Sequence, residues 1–206
     1  MKRNAVFFTE VCPPTAEKVG VISALLQTFD QVYIVPISFY DENVRLSTFH
    51  LNTLFMHATK QWLSDPMRLH RIHVVTPIIH MEKSKFPYAL DMFCKEVTSV
   101  HDLTSITAVF DIVEFRKYKS AFEKTIFFTQ CKHVCLYLDA TEQDDIDVEG
   151  KEVTMLSIAN IAGRRSADVH AKMQEAKRHD EIARMLGAAV YRYAFDNNLF
   201  GLSTST

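Results

Sequence analysis

The sequence predicts an α/β fold: a mostly parallel sheet with helices on both faces and a small helical C-terminal portion. Three observations predict it. Short apolar, β-rich runs alternate with longer runs of helical periodicity along most of the chain. Strands that alternate with helices in this way favour a parallel sheet joined by right-handed crossovers. The 206 residues suit one domain, read here as a single unit over 1–206. From about residue 160 to 206 the pattern becomes helical, which sets a C-terminal helical portion apart from the sheet.

The elements follow in order. Ala5 to Phe8 is apolar and aromatic and reads as the first strand. Glu17 to Phe29 places Val19, Ile22, Leu25 and Leu26 on one helical face. Gln31 to Ile37, "QVYIVPI", is the second strand. Ser47 to Leu63 reads as a helix with Phe49, Leu51, Leu54, Phe55, Ala58 and Trp62 broadly on one side. "RIHVVTP", from Arg71 to Pro77, is the third strand. Pro87 to Val97 is a helix, with the proline at a tolerated early position. Ile106 to Val113 is the fourth strand, and Glu114 to Phe127 the helix after it. "HVCLYL", from His133 to Leu138, is the fifth strand, and "EVTML", Glu152 to Leu156, a short sixth. Ser166 to Met185 is a long charged helix that Gly187 ends, and Ala188 to Asn197 is a last helix carrying Tyr191, Tyr193 and Phe195.

Bulk properties exclude several classes. A 48% hydrophobic content supplies an ordinary core. A net charge of -2 and a pI near 6.5 give no general attraction to nucleic acid or an anionic membrane, so neither is expected as a partner. No apolar run approaches the roughly 18 residues that span a bilayer. The apolar stretch behind Met1-Lys2-Arg3-Asn4 is too short for a signal peptide. Four cysteines do not make a disulfide framework, so a cytoplasmic or nuclear, intracellular location is expected. Cys131, His133 and Cys135 lack further ligands at zinc spacing and read as structural. Asp144, Asp145, Asp147 and Glu149 lack the spacing of a calcium loop and read as a solvated turn. No metal site is expected.

In open parallel sheets, ligands bind beyond the carboxyl ends of the strands, where strand order switches. The loop after the first strand, Val11-Cys12-Pro13-Pro14-Thr15-Ala16-Glu17-Lys18, is therefore the first place to look. It holds no glycine and no histidine. The second is "GRRSADVH", Gly163 to His170. There Ser166 can cap a helix, and Arg164 and Arg165 stand at its start as an anion site or as a solvated basic turn. Asp111 closes the fourth strand, as a cap for the next helix or as a ligand contact. Trp62 and the aromatics of the last helix read as core.

The order of elements and several landmarks resemble the HxGH nucleotidyltransferase superfamily, and within it the nicotinamide or nicotinate mononucleotide adenylyltransferases. Pro13 and Pro14 stand at the proline positions of that family's first loop. "FDQVYIVPIS" resembles its second strand. "IARMLGAAVYRYAFDNNLFG" follows its ending, with Val190, Tyr193, Asn198, Leu199 and Phe200 in step. The resemblance spans about residues 5 to 201 and rests on layout. It implies a Rossmann-like sheet. It also implies in-line attack of a mononucleotide phosphate on ATP, with Mg²⁺ and ATP required for activity.

The catalytic signatures depart from the family. Thr15 and Lys18 stand where the two histidines belong, and Glu17 where the glycine between them belongs. Phe8 and Thr9 replace the glycines that let backbone approach phosphate, and Cys12 replaces an aspartate. In "IANIAGR", Ile158 to Arg164, only the first isoleucine and the last arginine match the second signature. Catalysis of this kind is placement plus donors to phosphoryl oxygens, and losing one donor costs roughly 100- to 1000-fold. Lys18 and Arg164 then become the phosphate contacts, with Thr15 as a weaker donor and Phe8, Thr9, Asp111 and Arg165 around the nucleotide. Three readings stay open: a nucleotide-binding protein with eroded motifs and little transferase activity, an active adenylyltransferase joining ATP to a mononucleotide such as NMN, and a scaffold. The aromatic-rich helices leave room for a homo-oligomer.

Overall fold

The computed structural model describes residues 3–10, 14–39, 46–62, 70–75, 79–97, 105–141, 146–159, 169, 171–173 and 179–202. Its strands are β1 (Asn4–Glu10), β2 (Gln31–Phe39), β3 (Ile72–Val74), β4 (Ile79–Met81), β5 (Ile106–Asp111), β6 (His133–Asp139) and β7 (Glu152–Ile158). Its helices are α1 (Ala16–Thr28), α2 (Thr48–Trp62), α3 (Phe86–Val97), α4 (Ile112–Phe122), α5 (Ile126–Gln130), α6 (His179–Leu186) and α7 (Ala188–Asp196). Every strand pairing is parallel. The order across the sheet is β3-β2-β1-β5-β6-β7, with β4 also on β2. The chain thus winds outward from β1 in one direction, returns, and winds from β5 in the other. The switch lies between β1 and β5.

Alternation along β1 divides the core. Val6 and Phe8 face one side with Phe86, Phe93, Phe115, Phe122, Phe127 and Phe128 from α3, α4 and α5. Ala5 and Phe7 face the other, with Val21, Ile22 and Leu25 of α1 and Leu51 and Phe55 of α2. Successive strand side chains point to opposite faces, so a strand buried on both sides reads as a continuous apolar run. On the first face Phe8 meets Phe93 and Phe127 edge-on, both with centroids 5.6 Å away. Edge-on ring pairs of this kind add about 0.5–1.5 kcal/mol beyond their buried area.

A third cluster joins Val19 of α1 and Leu54 and Ala58 of α2 to Ile182, Met185 and Leu186 of α6 and Val190 and Ala194 of α7. The C-terminal helices therefore share their core with the first two helices. Two histidine–tyrosine contacts help place α7: His50 Nδ1 lies 2.9 Å from the Tyr193 hydroxyl, and His179 Nδ1 lies 2.7 Å from that of Tyr191. Gly187 sits between α6 and α7 at φ 84, a backbone conformation that glycine adopts without strain.

Several boundaries differ from the sequence expectation. The third strand, β3, ends at Val74, short of the expected Pro77, and β4 beyond it is a further strand that the sequence reading did not include; the two pair with successive parts of β2. Pro77 lies between them in sequence and has no amide hydrogen for a ladder. The fourth strand stops at Asp111, two residues early, because the Asp111 carboxylate caps α4 by accepting from the amides of Val113 and Glu114. The helix read over 114–127 is α4 followed by α5, separated where the Thr125 hydroxyl accepts from the Phe128 amide. The sixth strand is longer than expected and pairs with all of β6. Phe49 does not share the buried face of α2. It is 70% exposed, while Leu51, Leu54, Phe55 and Ala58 are buried. Of the long helix expected over 166–185, the described part is α6 with isolated helical residues before it, and the rest lies outside the described residues. The Trp62 side chain and Asp144 and Asp145 also lie outside them.

Candidate functional site

The carboxyl ends of β1, β5 and β6 come together beside the first turn of α1. Register places them: Asp111, the last residue of β5, pairs with Tyr137 of β6. Thr9 and Glu10 close β1, and Asp139 closes β6. Thr15 is the residue before α1, and Glu17 and Lys18 lie in its first turn. All of these polar residues are buried.

Four of them form one network. The Lys18 ammonium donates to the Tyr137 hydroxyl at 3.0 Å and lies 3.4 Å from Glu17 Oε1. The Tyr137 hydroxyl donates to the same carboxylate oxygen at 3.4 Å. The Thr15 hydroxyl donates to Glu17 Oε2 at 3.4 Å. Lys18 also lies 5.7 Å from the centre of the Tyr137 ring, within cation–π range. The Tyr137 and Phe7 rings meet edge-to-face, with centroids 5.8 Å apart.

Burial is the largest influence on the Lys18 ammonium and pulls its pKa down. Glu17, the Tyr137 phenol that accepts its hydrogen bond, and Glu114 outweigh it, and the net direction is well above the usual lysine range. Burial pushes the Tyr137 phenol well above its usual range as well, so it is neutral at pH 7. Glu17 is then the nearest anion to Lys18 at that pH. A charged lysine at 7% exposure is stable only because these partners replace water.

The sequence-predicted site residues separate into groups. Thr15 and Lys18 meet, through Glu17 and Tyr137. Thr9 is buried at the end of β1, and its hydroxyl donates to the Glu10 carbonyl at 3.3 Å. Asp111 is beside Tyr137 but uses one oxygen, Oδ1, to cap α4, at 2.8 Å from the Val113 amide and 3.1 Å from that of Glu114. The Phe8 ring points into the aromatic core, so only its backbone can serve a ligand. Arg164, Arg165 and Cys12 lie outside the described residues. Tyr137 is the participant that sequence reasoning missed. Its signal was a tyrosine inside an otherwise apolar strand, since a buried hydroxyl requires a partner.

Among the described residues, no group of three or more His, Cys, Asp or Glu side chains is placed to hold a metal ion. Cys131 and Cys135 are buried free thiols, and Cys131 Sγ lies 3.2 Å from the Ile106 carbonyl and 3.0 Å from that of His133. Among the described residues, no helix is long and apolar enough to cross a membrane.

No family model matches the chain, and no curated protein matches it in sequence. Its fold is that of solved adenylyltransferases. The Plasmodium falciparum nicotinic acid mononucleotide adenylyltransferase in complex with NaAD superposes with a TM-score of 0.66 at 10% identity, over 98% of each chain. The same enzyme in complex with APC gives a TM-score of 0.66 at 13% identity, again over 98% of each. At such identities the likeness is one of architecture: a nucleotidyltransferase-type, Rossmann-like fold along nearly the full chain.

Proposed function

We propose that this protein binds a nucleotide at the carboxyl edge of its sheet and carries out little or no nucleotidyl transfer. The observation that carries the reading is the state of Lys18. The switch between β1 and β5 is where a parallel sheet of this order receives a ligand. Lys18 stands at that point, yet it is buried against Glu17 and Tyr137. A donor already satisfied inside the protein contributes little to charge on a transferring phosphoryl group.

Arg164 and Arg165 supply the remaining cationic contacts in this reading. Mg²⁺ arrives on the triphosphate, since it is held largely by phosphates and water in such sites. The likeness to mononucleotide adenylyltransferases favours adenine nucleotides over other ligands, and ATP, NAD and NMN are the probes to use.

Thermal unfolding with each nucleotide tests the proposal. At 100 times Kd a ligand stabilises by about 2.7 kcal/mol. For a chain of this size that is roughly 5–10 °C. ATP is expected to give such a shift, reduced in Arg164→Ala, while ATP, Mg²⁺ and NMN yield no NAD at high protein concentration. A shift accompanied by NAD, lost in Lys18→Ala, would instead establish an active adenylyltransferase. No shift with any nucleotide would leave the scaffold reading.

A further inference from the structure

Glu17 is held as a ligand would be held. Thr15, Lys18 and Tyr137 aim a hydroxyl, an ammonium and a phenol at its two carboxylate oxygens. The first turn of α1 adds the positive end of a helix. Hydroxyls, a lysine and a helix N-terminus are the donors that receive phosphate in proteins.

Three details separate this from an ordinary ion pair. Thr15 is the capping residue of α1, but its side chain makes no cap to the helix backbone and turns to Glu17 instead. The contacts of Thr15, Lys18 and Tyr137 with the carboxylate are each 3.4 Å. Charge-assisted hydrogen bonds are usually about 2.5–2.9 Å. The donors therefore hold the carboxylate more loosely than such bonds usually do. Adjacent helical residues such as Glu17 and Lys18 do not ordinarily face each other. Here both side chains turn to the same point above β6.

We infer that Thr15, Lys18 and Tyr137 form an oxyanion site able to receive a phosphate group, which the protein's own Glu17 carboxylate fills. Glu17 competes with any phosphate for Lys18, and a nucleotide gains that lysine only when Glu17 leaves. This deepens the reading of the crevice as a nucleotide site and rests on it, and it supplies a cause for weak transfer: the donor is inhibited from within.

The test removes Glu17 and supplies an anion. Wild type, Glu17→Ala, Glu17→Gln and Glu17→Ala/Lys18→Met are unfolded thermally in sodium phosphate and in sodium chloride of matched ionic strength. In chloride, Glu17→Ala is expected to melt lower than wild type, because Lys18 loses its anion. Phosphate should restore it saturably, with a midpoint at least about tenfold below any seen for wild type, since like charges about 4 Å apart oppose each other strongly when buried. The double variant should lose the rescue. Equal responses of wild type and both single variants would overturn the inference, and so would a rescue that survives Lys18→Met. If Glu17→Ala does not fold in chloride, its recovery in phosphate supports the inference. Failure of both single variants to fold in either salt overturns it. Nucleotide shifts in wild type without phosphate rescue in the variants would sink the oxyanion site and leave the nucleotide reading standing. Phosphate rescue with no nucleotide shift in any form would do the reverse.

Discussion

Tyr137→Phe isolates one hydroxyl at the centre of the network. The substitution keeps the ring and its edge contact with Phe7, whose centroid lies 5.8 Å away, so no cavity opens. It removes the 3.0 Å acceptor of Lys18 and the 3.4 Å donor to Glu17. Hydrogen bonds to charged groups contribute about 1.5–3 kcal/mol. The longer of the two bonds contributes least, so the loss should be about 2 kcal/mol. At roughly 2–4 °C per kcal/mol for this chain length, Tm falls by about 4–8 °C. Lys18→Met should cost more, about 3–5 kcal/mol, because it leaves the Glu17 carboxylate buried without its lysine. The assay is a double-mutant cycle by thermal or urea unfolding, with Tyr137→Phe, Lys18→Met and the pair. A coupling of about 1–3 kcal/mol is expected, as for residues in one hydrogen-bonded network. A change below 1 °C in Tyr137→Phe, or strict additivity with Lys18→Met, would refute the network as a source of stability.

Two further outcomes can be measured directly. Asp111→Ala removes the acceptor of two α4 amides and should cost about 1–2 kcal/mol in urea unfolding, while Asp111→Asn, which can still cap, stays within about 0.5 kcal/mol of wild type; equal losses would mean that charge, not capping, matters there. Stability should also fall on the alkaline side, because the folded state holds its protons more tightly than the unfolded chain. Burial pushes the Cys135 thiol up to about 12 and the Tyr137 phenol well above its usual range, and the partners of Lys18 outweigh burial and raise its ammonium too. Groups with raised folded pKa values contribute fully below their unfolded values and lose that contribution as pH rises through the folded ones. The decline should therefore begin near pH 9 and steepen beyond 10, and Cys135→Val should flatten its first part; a stability flat from pH 8 to 11 would contradict the burial of these groups.

The fold was legible because its periodicities are local. Phe86, Ala89, Leu90 and Phe93 recur at helical spacing and are buried together, and the strands buried on both faces are continuous apolar runs. Boundaries were less legible where a polar side chain decides them. Asp111 ends a strand and Thr125 splits a helix by accepting backbone amides, and both lie within runs whose apolar pattern continues past them. The candidate site was legible in place and not in wiring. Thr15 and Lys18 could be singled out from the loop after β1. That Lys18 would meet Tyr137, 119 residues away, depends on the register of β6 against β5 and on α1 packing over it. No local pattern encodes that meeting.

The same wiring sets the electrostatic condition for any phosphate ligand. Glu10, Glu17, Asp111 and Asp139 are buried at or beside the carboxyl edge, and Lys18 is the one buried cation among the described residues there. A triphosphate brought to that edge adds negative charge to carboxylates already shielded from water, where repulsion is poorly screened. Lys18 does not offset it while Glu17 holds the ammonium at 3.4 Å. In the proposed reading, further positive charge comes with the nucleotide as Mg²⁺, or from Arg164 and Arg165. A contact made in water is weakened by salt more than one made to a buried lysine. Nucleotide binding by the wild-type chain should therefore be more sensitive to ionic strength than binding by Glu17→Gln, in which a buried lysine takes over the contact.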